Sequence, residues 1–181
     1  GASIIEFNIV DGSRRREFLI PTSFIPAFDN DGLEALAFVP IKGHPEGGRF
    51  YVGHARTGKI YVFDLSIVSG GSTVNYVKTI NPVNNHGKMA GLFYNAVDNV
   101  LFSLYNYDDT FSVLDSSGNI ISEWKLPQSG DYGGIVKRGC DLFIVEDATK
   151  KVWKHDFLGC SFECLCGNNI VDSGEECDDG N

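Results

Sequence analysis

Hydrophobic positions in this chain fall in short runs separated by polar turns, and three such stretches can be aligned with one another. They read "RFYVGHARTGKIYVFD" (49–64), "VLFSLYNYDDTFSVLD" (100–115) and "DLFIVEDATKKVWKHD" (141–156). Each contains an apolar run, a polar turn, a second apolar run and a final Asp. The same offsets of 51 and 41 residues relate Phe50, Leu101 and Leu142, then Ile60, Phe111 and Val152, then Asp64, Asp115 and Asp156.

Each aligned stretch predicts a β-hairpin, because its apolar runs are short, rich in Val, Ile, Phe and Tyr, and joined by turn residues. One further apolar run precedes every hairpin, and another follows the first two. Pro82 and Pro127 then end these last strands, since proline cannot donate to a strand ladder. The final aspartates lie in turn-like sequence, so we interpret them as acceptors for backbone N–H groups.

Four antiparallel strands repeated about every 40 to 50 residues are typical of a β-propeller blade. The sequence therefore predicts an all-β fold, with blades in a region spanning 1–158. The predicted units are a partial blade at 4–21 and blades at 32–82, 87–127 and 131–157. Propellers close with about four to eight blades, so we expect a fragment of a longer chain. The alternative is that the N-terminal strands pair with another element.

A different composition marks residues 159–181, which hold four of the five cysteines, Cys160, Cys164, Cys166 and Cys177. This density predicts a small disulfide-rich module of an extracellular or cell-surface protein. The fifth cysteine, Cys140, falls roughly across from Cys160, which makes a disulfide between them geometrically feasible. Because five is odd, at least one thiol must pair elsewhere or stay free. A zinc site is the weaker alternative, since no C-x-x-C pair is present.

The last sixteen residues, "CGNNIVDSGEECDDGN" (166–181), resemble the cysteine-rich repeat found in secreted myxobacterial proteins and eukaryotic surface proteins. The shared pattern is C-G-N-x-x-x-D-x-G-E-E-C-D-D-G-N. In that family the repeat continues past the final Asn, which implies a downstream partner for Cys166 or Cys177.

The body of the chain, with "GLEALAFVP" and "GRFYVGHARTGKIYVFD", resembles propeller domains of extracellular bacterial and stramenopile proteins. Combined with the repeat, it is similar to the sexually induced and mastigoneme (tubular flagellar hair) proteins. That resemblance implies a structural role in an extracellular filament.

Charge and hydropathy limit the partners. The net charge is −9, and five carboxylates lie in the last sixteen residues, so nucleic acid is not expected. The basic run Arg14–Arg16 is interpreted as a solvated loop. No apolar run approaches the roughly 18 residues of a membrane helix, so membrane insertion is not expected either.

No catalytic motif stands out, and the candidates for chemistry are few. Catalytic propellers place acids, histidine or a bound Ca²⁺ near the starts of the innermost strands. Glu34, His86 and Asp131 fall there, and otherwise they are solvated loop groups. The acidic stretches lack the spacing of a calcium loop, and the histidines lack metal spacing. Strand tyrosines predict packing between blades or, as an alternative, a glycan-binding groove: Tyr51, Tyr61, Tyr105 and Tyr107.

The main prediction is a non-catalytic extracellular structural or adhesive module, not an enzyme, with no cofactor. Its partners would be other protein subunits in a homo-oligomer or filament. One alternative is a secreted propeller hydrolase or lactonase that uses a channel-mouth carboxylate and calcium. A second alternative is a glycan-binding propeller.

Overall fold

The chain folds into consecutive antiparallel sheets. The computed structural model describes residues 2–21, 23–25, 32–84, 86–126 and 130–156. These residues form thirteen β-strands and no helix, so none of them belongs to a helix that could cross a membrane. The strands are β1 (Ser3–Phe7), β2 (Arg14–Leu19), β3 (Leu33–Pro40), β4 (Gly48–His54), β5 (Ile60–Leu65), β6 (Val74–Ile80), β7 (Met89–Asn95), β8 (Val100–Tyr105), β9 (Thr110–Leu114), β10 (Ile120–Lys125), β11 (Tyr132–Arg138), β12 (Asp141–Glu146) and β13 (Lys151–Asp156).

Within each sheet, the strands pair in the order of the sequence. The sheets are β1–β2, β3–β6, β7–β10 and β11–β13, so the two central sheets have four strands each. This is the blade arrangement of a β-propeller, and the predicted all-β fold is confirmed. The cysteine-rich segment 159–181 lies outside the described residues.

How deeply a strand is buried depends on whether one or both faces of its sheet pack against other sheets. Strands β8 and β9 of a central sheet are buried almost throughout, because both faces of that sheet pack against neighbours. Strand β3 instead alternates between buried and exposed residues, since only one of its faces is fully covered. Leu36 and Phe38 on its other face are 49% and 40% exposed.

Three apolar clusters join the sheets in chain order. The first packs Phe18 and Ile20 of the N-terminal hairpin region against Phe63 and its neighbours in the second sheet. The second joins the second and third sheets through residues such as Ala37 and Leu92. The third joins the third and fourth sheets and includes Leu104 and Ile144. The core therefore lies between successive blades.

The basic run is part of a strand, which corrects its interpretation as a solvated loop. Arg14, Arg15 and Arg16 begin β2. Arg16 binds Glu6 and donates 2.8 Å hydrogen bonds to the carbonyl oxygens of Ser66 and Ile67. The arginine therefore fastens the N-terminal hairpin to the next sheet.

The aligned aspartates have two different roles. Asp115 accepts hydrogen bonds from the N–H groups of Ser117 and Asn119, as the turn interpretation predicted. Asp64 and Asp156 instead lie within β5 and β13, which corrects the turn interpretation for these two residues. Asp64 accepts from the Arg49 side chain at 3.0 Å, with a ring nitrogen of His44 at 3.1 Å.

One irregularity recurs at the start of each blade. The register of β3 with β4 shifts between Leu33 and Ala35, which leaves Glu34 as an extra residue. The same shift occurs at Ala90 in β7 and at Gly133 in β11. Such a β-bulge re-aims the side chain of the extra residue, and it does so at the same point of three blades.

Close contact between the first strands of adjacent blades depends on glycine. A Cβ atom on Gly91 of β7 would lie 3.1 Å from the backbone nitrogen of Ile135 and 3.2 Å from the Cα of Gly134, both in β11. Gly133, by contrast, has nothing within 4 Å of its Cβ position. The third and fourth sheets therefore approach closely at Gly91.

We expect Gly91→Ala to destabilise the protein by about 1 to 3 kcal/mol, because the added methyl group pushes against a backbone that cannot swing aside. Gly133→Ala is the matched control, with an expected change within about 0.5 kcal/mol. Urea denaturation followed by tryptophan fluorescence measures both. Equal stability of the two variants would contradict the close approach.

Candidate active site at the mouth of the channel

One cavity lies where the first strands of three blades begin. Its volume is about 420 Å³, which is within the usual size of small-molecule sites. The lining residues include the three bulge residues, Glu34, Ala90 and Gly133. We call this space the channel-mouth cavity.

A repeated backbone hydrogen bond builds the wall of the cavity. The N–H of the residue that follows the second strand donates to the carbonyl of the residue before the first strand. The three examples run from Ala55 to Gly32 at 2.8 Å, from Asn106 to Lys88 at 2.9 Å and from Asp147 to Asp131 at 2.6 Å. The same backbone hydrogen bond is therefore present in three blades, while the side chains differ.

The side chains at these equivalent positions carry the polar chemistry of the cavity. Its lining holds three carboxylates, Glu34, Asp131 and Asp147, and one ammonium group, that of Lys88. All four residues are exposed to solvent. Because the residue types differ from blade to blade, the repeated fold does not determine them.

Asn106 holds three parts of the cavity together. Its backbone N–H binds the carbonyl of Lys88, and its side-chain Nδ2 donates to Oδ1 of Asp131 at 3.1 Å. Its Oδ1 accepts the N–H of Tyr132 at 2.9 Å. Because a backbone donor occupies Oδ1, the amide must turn its Nδ2 towards Asp131. One oxygen of Asp131 is thereby fixed.

Lys88 is held in an uncommon backbone conformation. Its φ is +46°, and that of the preceding Gly87 is +65°. A positive φ is uncommon for residues other than glycine. The hydrogen bond from Asn106 therefore maintains a backbone that places Lys88 at the cavity.

A second polar cluster lies beside the cavity and is centred on His86. Nδ1 of His86 is 2.5 Å from Oδ2 of Asp108, and Nε2 is 2.7 Å from Oε2 of Glu123. Lys125 reaches Oδ2 of Asp108 at 3.2 Å, and Ser112 donates to Glu123 at 2.9 Å. The His86 side chain is 15% exposed.

Two buried oxygen atoms behind this cluster have no hydrogen-bond partner among the described residues. They are the Tyr105 hydroxyl and Oδ1 of Asp108. Burial raises the pKa of Tyr105 to about 12, and the nearby Ser103 hydroxyl offsets only part of that rise. Burial also acts to raise the pKa of Asp108, but hydrogen bonds from Lys125 and His86 outweigh it and hold that pKa below its usual value.

The structure brings together two of the three residues that the sequence placed at the channel mouth. Glu34 and Asp131 line the cavity, whereas His86 faces Asp108 and Glu123 instead. Cys140 lies half-buried in the turn before β12. The other disulfide candidates lie outside the described residues: Cys160, Cys164, Cys166 and Cys177.

Sequence reasoning missed Lys88, Asn106 and Asp147. The aligned repeat already contained a signal for two of them, because Ala55, Asn106 and Asp147 keep the offsets of 51 and 41 residues. A position that is structurally equivalent in three repeats but chemically different in each is a candidate for function. Lys88 could be identified only from the structure, because its backbone conformation sets its position at the cavity.

Within the described residues, no three His, Cys, Asp or Glu side chains are grouped so that they could hold a metal ion.

Three of the four tyrosines named in the sequence analysis are buried. Tyr51, Tyr61 and Tyr105 are buried in the blades, and Tyr107 is exposed. The buried three serve the packing that the sequence also predicted.

No protein-family model matches the sequence, and no curated protein matches it. Among solved structures, the chain is similar to the glutaminyl cyclase of Myxococcus xanthus, at 14% identity over 70% of this chain and 49% of that one, with a TM-score of 0.49. It is also similar to a catalytically inactive virginiamycin B lyase from Staphylococcus aureus with quinupristin, at 18% identity over 94% of this chain and 47% of that one, with a TM-score of 0.49. The chain spans about half the length of each matched chain.

Both matched proteins are enzymes by name. The prediction of a non-catalytic structural or adhesive module, and with it the prediction that the chain is not an enzyme, is corrected on this finding. That prediction rested on the lack of a contiguous catalytic motif in the sequence. The polar groups of the cavity come from separate blades and meet only after folding.

We expect Asp108→Asn to lower the melting temperature by about 4 °C or more at neutral pH, because it removes an ionised acceptor for Lys125 and His86. The folded-state pKa of Asp108 is depressed. Its stabilisation is therefore present above the unfolded value of about 3.9 and is lost as the pH falls through the folded value.

Thermal denaturation of the wild type and the variant between about pH 2 and pH 7 measures this difference. The two melting temperatures should converge at the acid end. A difference that stays constant over the whole range would contradict the depressed pKa.

Proposed function

We propose that this chain is part of an extracellular propeller enzyme that hydrolyses esters or lactones in the channel-mouth cavity. The observation that carries the proposal is the juxtaposition of Asp131, Asn106 and Lys88 around one cavity of about 420 Å³. A carboxylate with one fixed oxygen and an ammonium group that line the same cavity are a minimal set of groups for attack by water on a carbonyl carbon.

Asp131 is the proposed general base. Asn106 fixes its Oδ1 through a 3.1 Å hydrogen bond, so the second oxygen is the one available to a water molecule. The carboxylate is exposed and therefore accessible from the cavity. A positioned general base contributes about 100- to 10,000-fold to a rate.

Lys88 is the proposed electrostatic partner. As water attacks, Asp131 takes one water proton and the carbonyl oxygen gains negative charge. The ammonium group of Lys88 stabilises that charge, which is the role of an oxyanion-stabilising donor. The C–O bond then breaks, and the departing alkoxide takes the proton back from Asp131. The products are an acid and an alcohol, and both carboxylate and ammonium return to their starting states.

Glu34 and Asp147 give the cavity an excess of negative charge. Three carboxylates against one ammonium group leave a net charge of −2 on the side chains that line the cavity. A substrate that is neutral or positively charged suits this field better than an anionic one. Esters and lactones of amines or polyols fit that description.

The extracellular location rests on the cysteine density of residues 159–181. The interpretation of this segment as a secreted-type cysteine-rich repeat belongs to the same proposal. Disulfides there would attach a following module to the propeller.

We expect Asp131→Asn to reduce kcat/KM by about 100-fold or more on a responsive ester or lactone, because the amide cannot accept the water proton. Lys88→Met should also reduce it strongly, by removing the charge that stabilises the oxyanion. The measurement is turnover of a panel of p-nitrophenyl esters and γ- and δ-lactones, neutral and amine-bearing.

The matched controls are Asp156→Asn and Lys42→Met, since both residues are exposed and neither lines the cavity. Each should retain wild-type turnover. The proposal fails if no ester or lactone is turned over faster by the wild type than by Asp131→Asn, with all variants folded by circular dichroism.

A further inference from the structure

We propose that His86, Asp108 and Glu123 form a pH-sensitive clamp on the wall of the channel-mouth cavity. The clamp holds this wall in place when His86 carries both ring protons and releases it when one proton is lost. We call this group the histidine clamp. Its effect on turnover rests on the proposed function, whereas its effect on the cavity wall does not.

The chemistry of the three groups requires the doubly protonated ring. Both ring nitrogens of His86 face carboxylate oxygens, at 2.5 Å and 2.7 Å. An ionised carboxylate can only accept, and a neutral imidazole carries a single N–H donor. Loss of one proton therefore turns one of the two attractive contacts into an opposition of lone pairs.

Two other histidines have ring contacts that do not require the doubly protonated form. Nδ1 of His44 accepts the N–H of Glu46, and Nδ1 of His54 accepts the N–H of Thr57. A neutral ring satisfies these bonds. His86 has two acceptors instead, so its contacts depend on its charge.

The charges around His86 make the clamp sensitive to the loss of a ring proton. Asp108 in the β8–β9 turn and Glu123 on β10 face the ring, and Lys125 on β10 contacts Asp108. Tyr105 at the end of β8 lies with its ring 5.2 Å from that of His86, and burial raises the pKa of Tyr105 to about 12. With His86 protonated, two cations face two carboxylates. Once it is neutral, the cluster has a net negative charge in a partly buried place.

The clamp is tied to the cavity through two short segments of chain. His86 lies two residues before Lys88, and Asp108 lies two residues after Asn106. The intervening hydrogen bond runs from the N–H of Asn106 to the carbonyl of Lys88 at 2.9 Å. Because Lys88 has a φ of +46°, release of the clamp favours relaxation of this backbone and loss of that bond. Lys88 would then leave its place at the cavity.

The neighbouring blades supply internal controls. The same backbone bond occurs from Ala55 to Gly32 and from Asp147 to Asp131. The residues two positions before Gly32 and Asp131 are Asn30 and Ser129, which do not titrate between pH 5 and pH 9. Only the bond of the middle blade should therefore respond to pH in this way.

The test is amide hydrogen exchange of the whole chain, read by NMR from about pH 5.5 to about pH 8.5 and expressed as protection factors corrected for intrinsic exchange. We expect the protection of the Asn106 amide to fall by about tenfold towards alkaline pH, as the loss of one hydrogen bond to a charged group implies. The protection of Ala55 and Asp147 should stay constant. No substrate is needed, so this result stands apart from success or failure of the hydrolase proposal.

Two variants separate the clamp from a merely structural role. In His86→Gln the protection of Asn106 should be low and independent of pH. In Glu123→Gln the glutamine amide can donate to the neutral ring, so protection should remain high at alkaline pH. A pH-independent Asn106 in the wild type, an equal loss at all three amides, or a Glu123→Gln variant that still titrates like the wild type would each overturn the proposal.

Discussion

Close packing between the first strands of successive blades is the constraint on which the rest of this structure depends. Apolar side chains fill the space between the sheets, and Gly91 lets β7 approach the backbone of β11. Dense packing tolerates little error in position. The starts of β3, β7 and β11 are therefore fixed relative to one another, and the cavity they surround has a defined shape.

Backbone and side chains have separate roles at the cavity. The bond between the end of the second strand and the residue before the first is the same in three blades. The side chains it carries are an asparagine that positions, a carboxylate that can accept a proton and a lysine that can stabilise negative charge. Catalytic preorganisation needs such groups held before the substrate arrives. In the proposed hydrolase, the repeated hydrogen bonds and the fixed amide of Asn106 would provide that support.

The fold could be predicted from the sequence because short apolar runs, joined by turn residues, recur at the same offsets along the chain. The same runs placed Glu34 and Asp131 near the starts of first strands. The sequence could not separate His86 from them, because the loop before β7 turns His86 towards Asp108 and Glu123, and only tertiary contacts set that direction. It also could not reveal Asn106, whose role depends on partners 18 residues earlier and 25 residues later in the chain.

The bulge at Glu34, Ala90 and Gly133 has a consequence for how such a protein can change over time. The extra residue in each blade is not paired across the strand, so the ladder does not fix its identity. Glu34 and Gly133 are exposed, whereas Ala90 is buried. Single substitutions at Glu34 and Gly133 can therefore change the chemistry of the cavity over time at a small cost to folding, while a larger or charged side chain at Ala90 would have to be accommodated in the core.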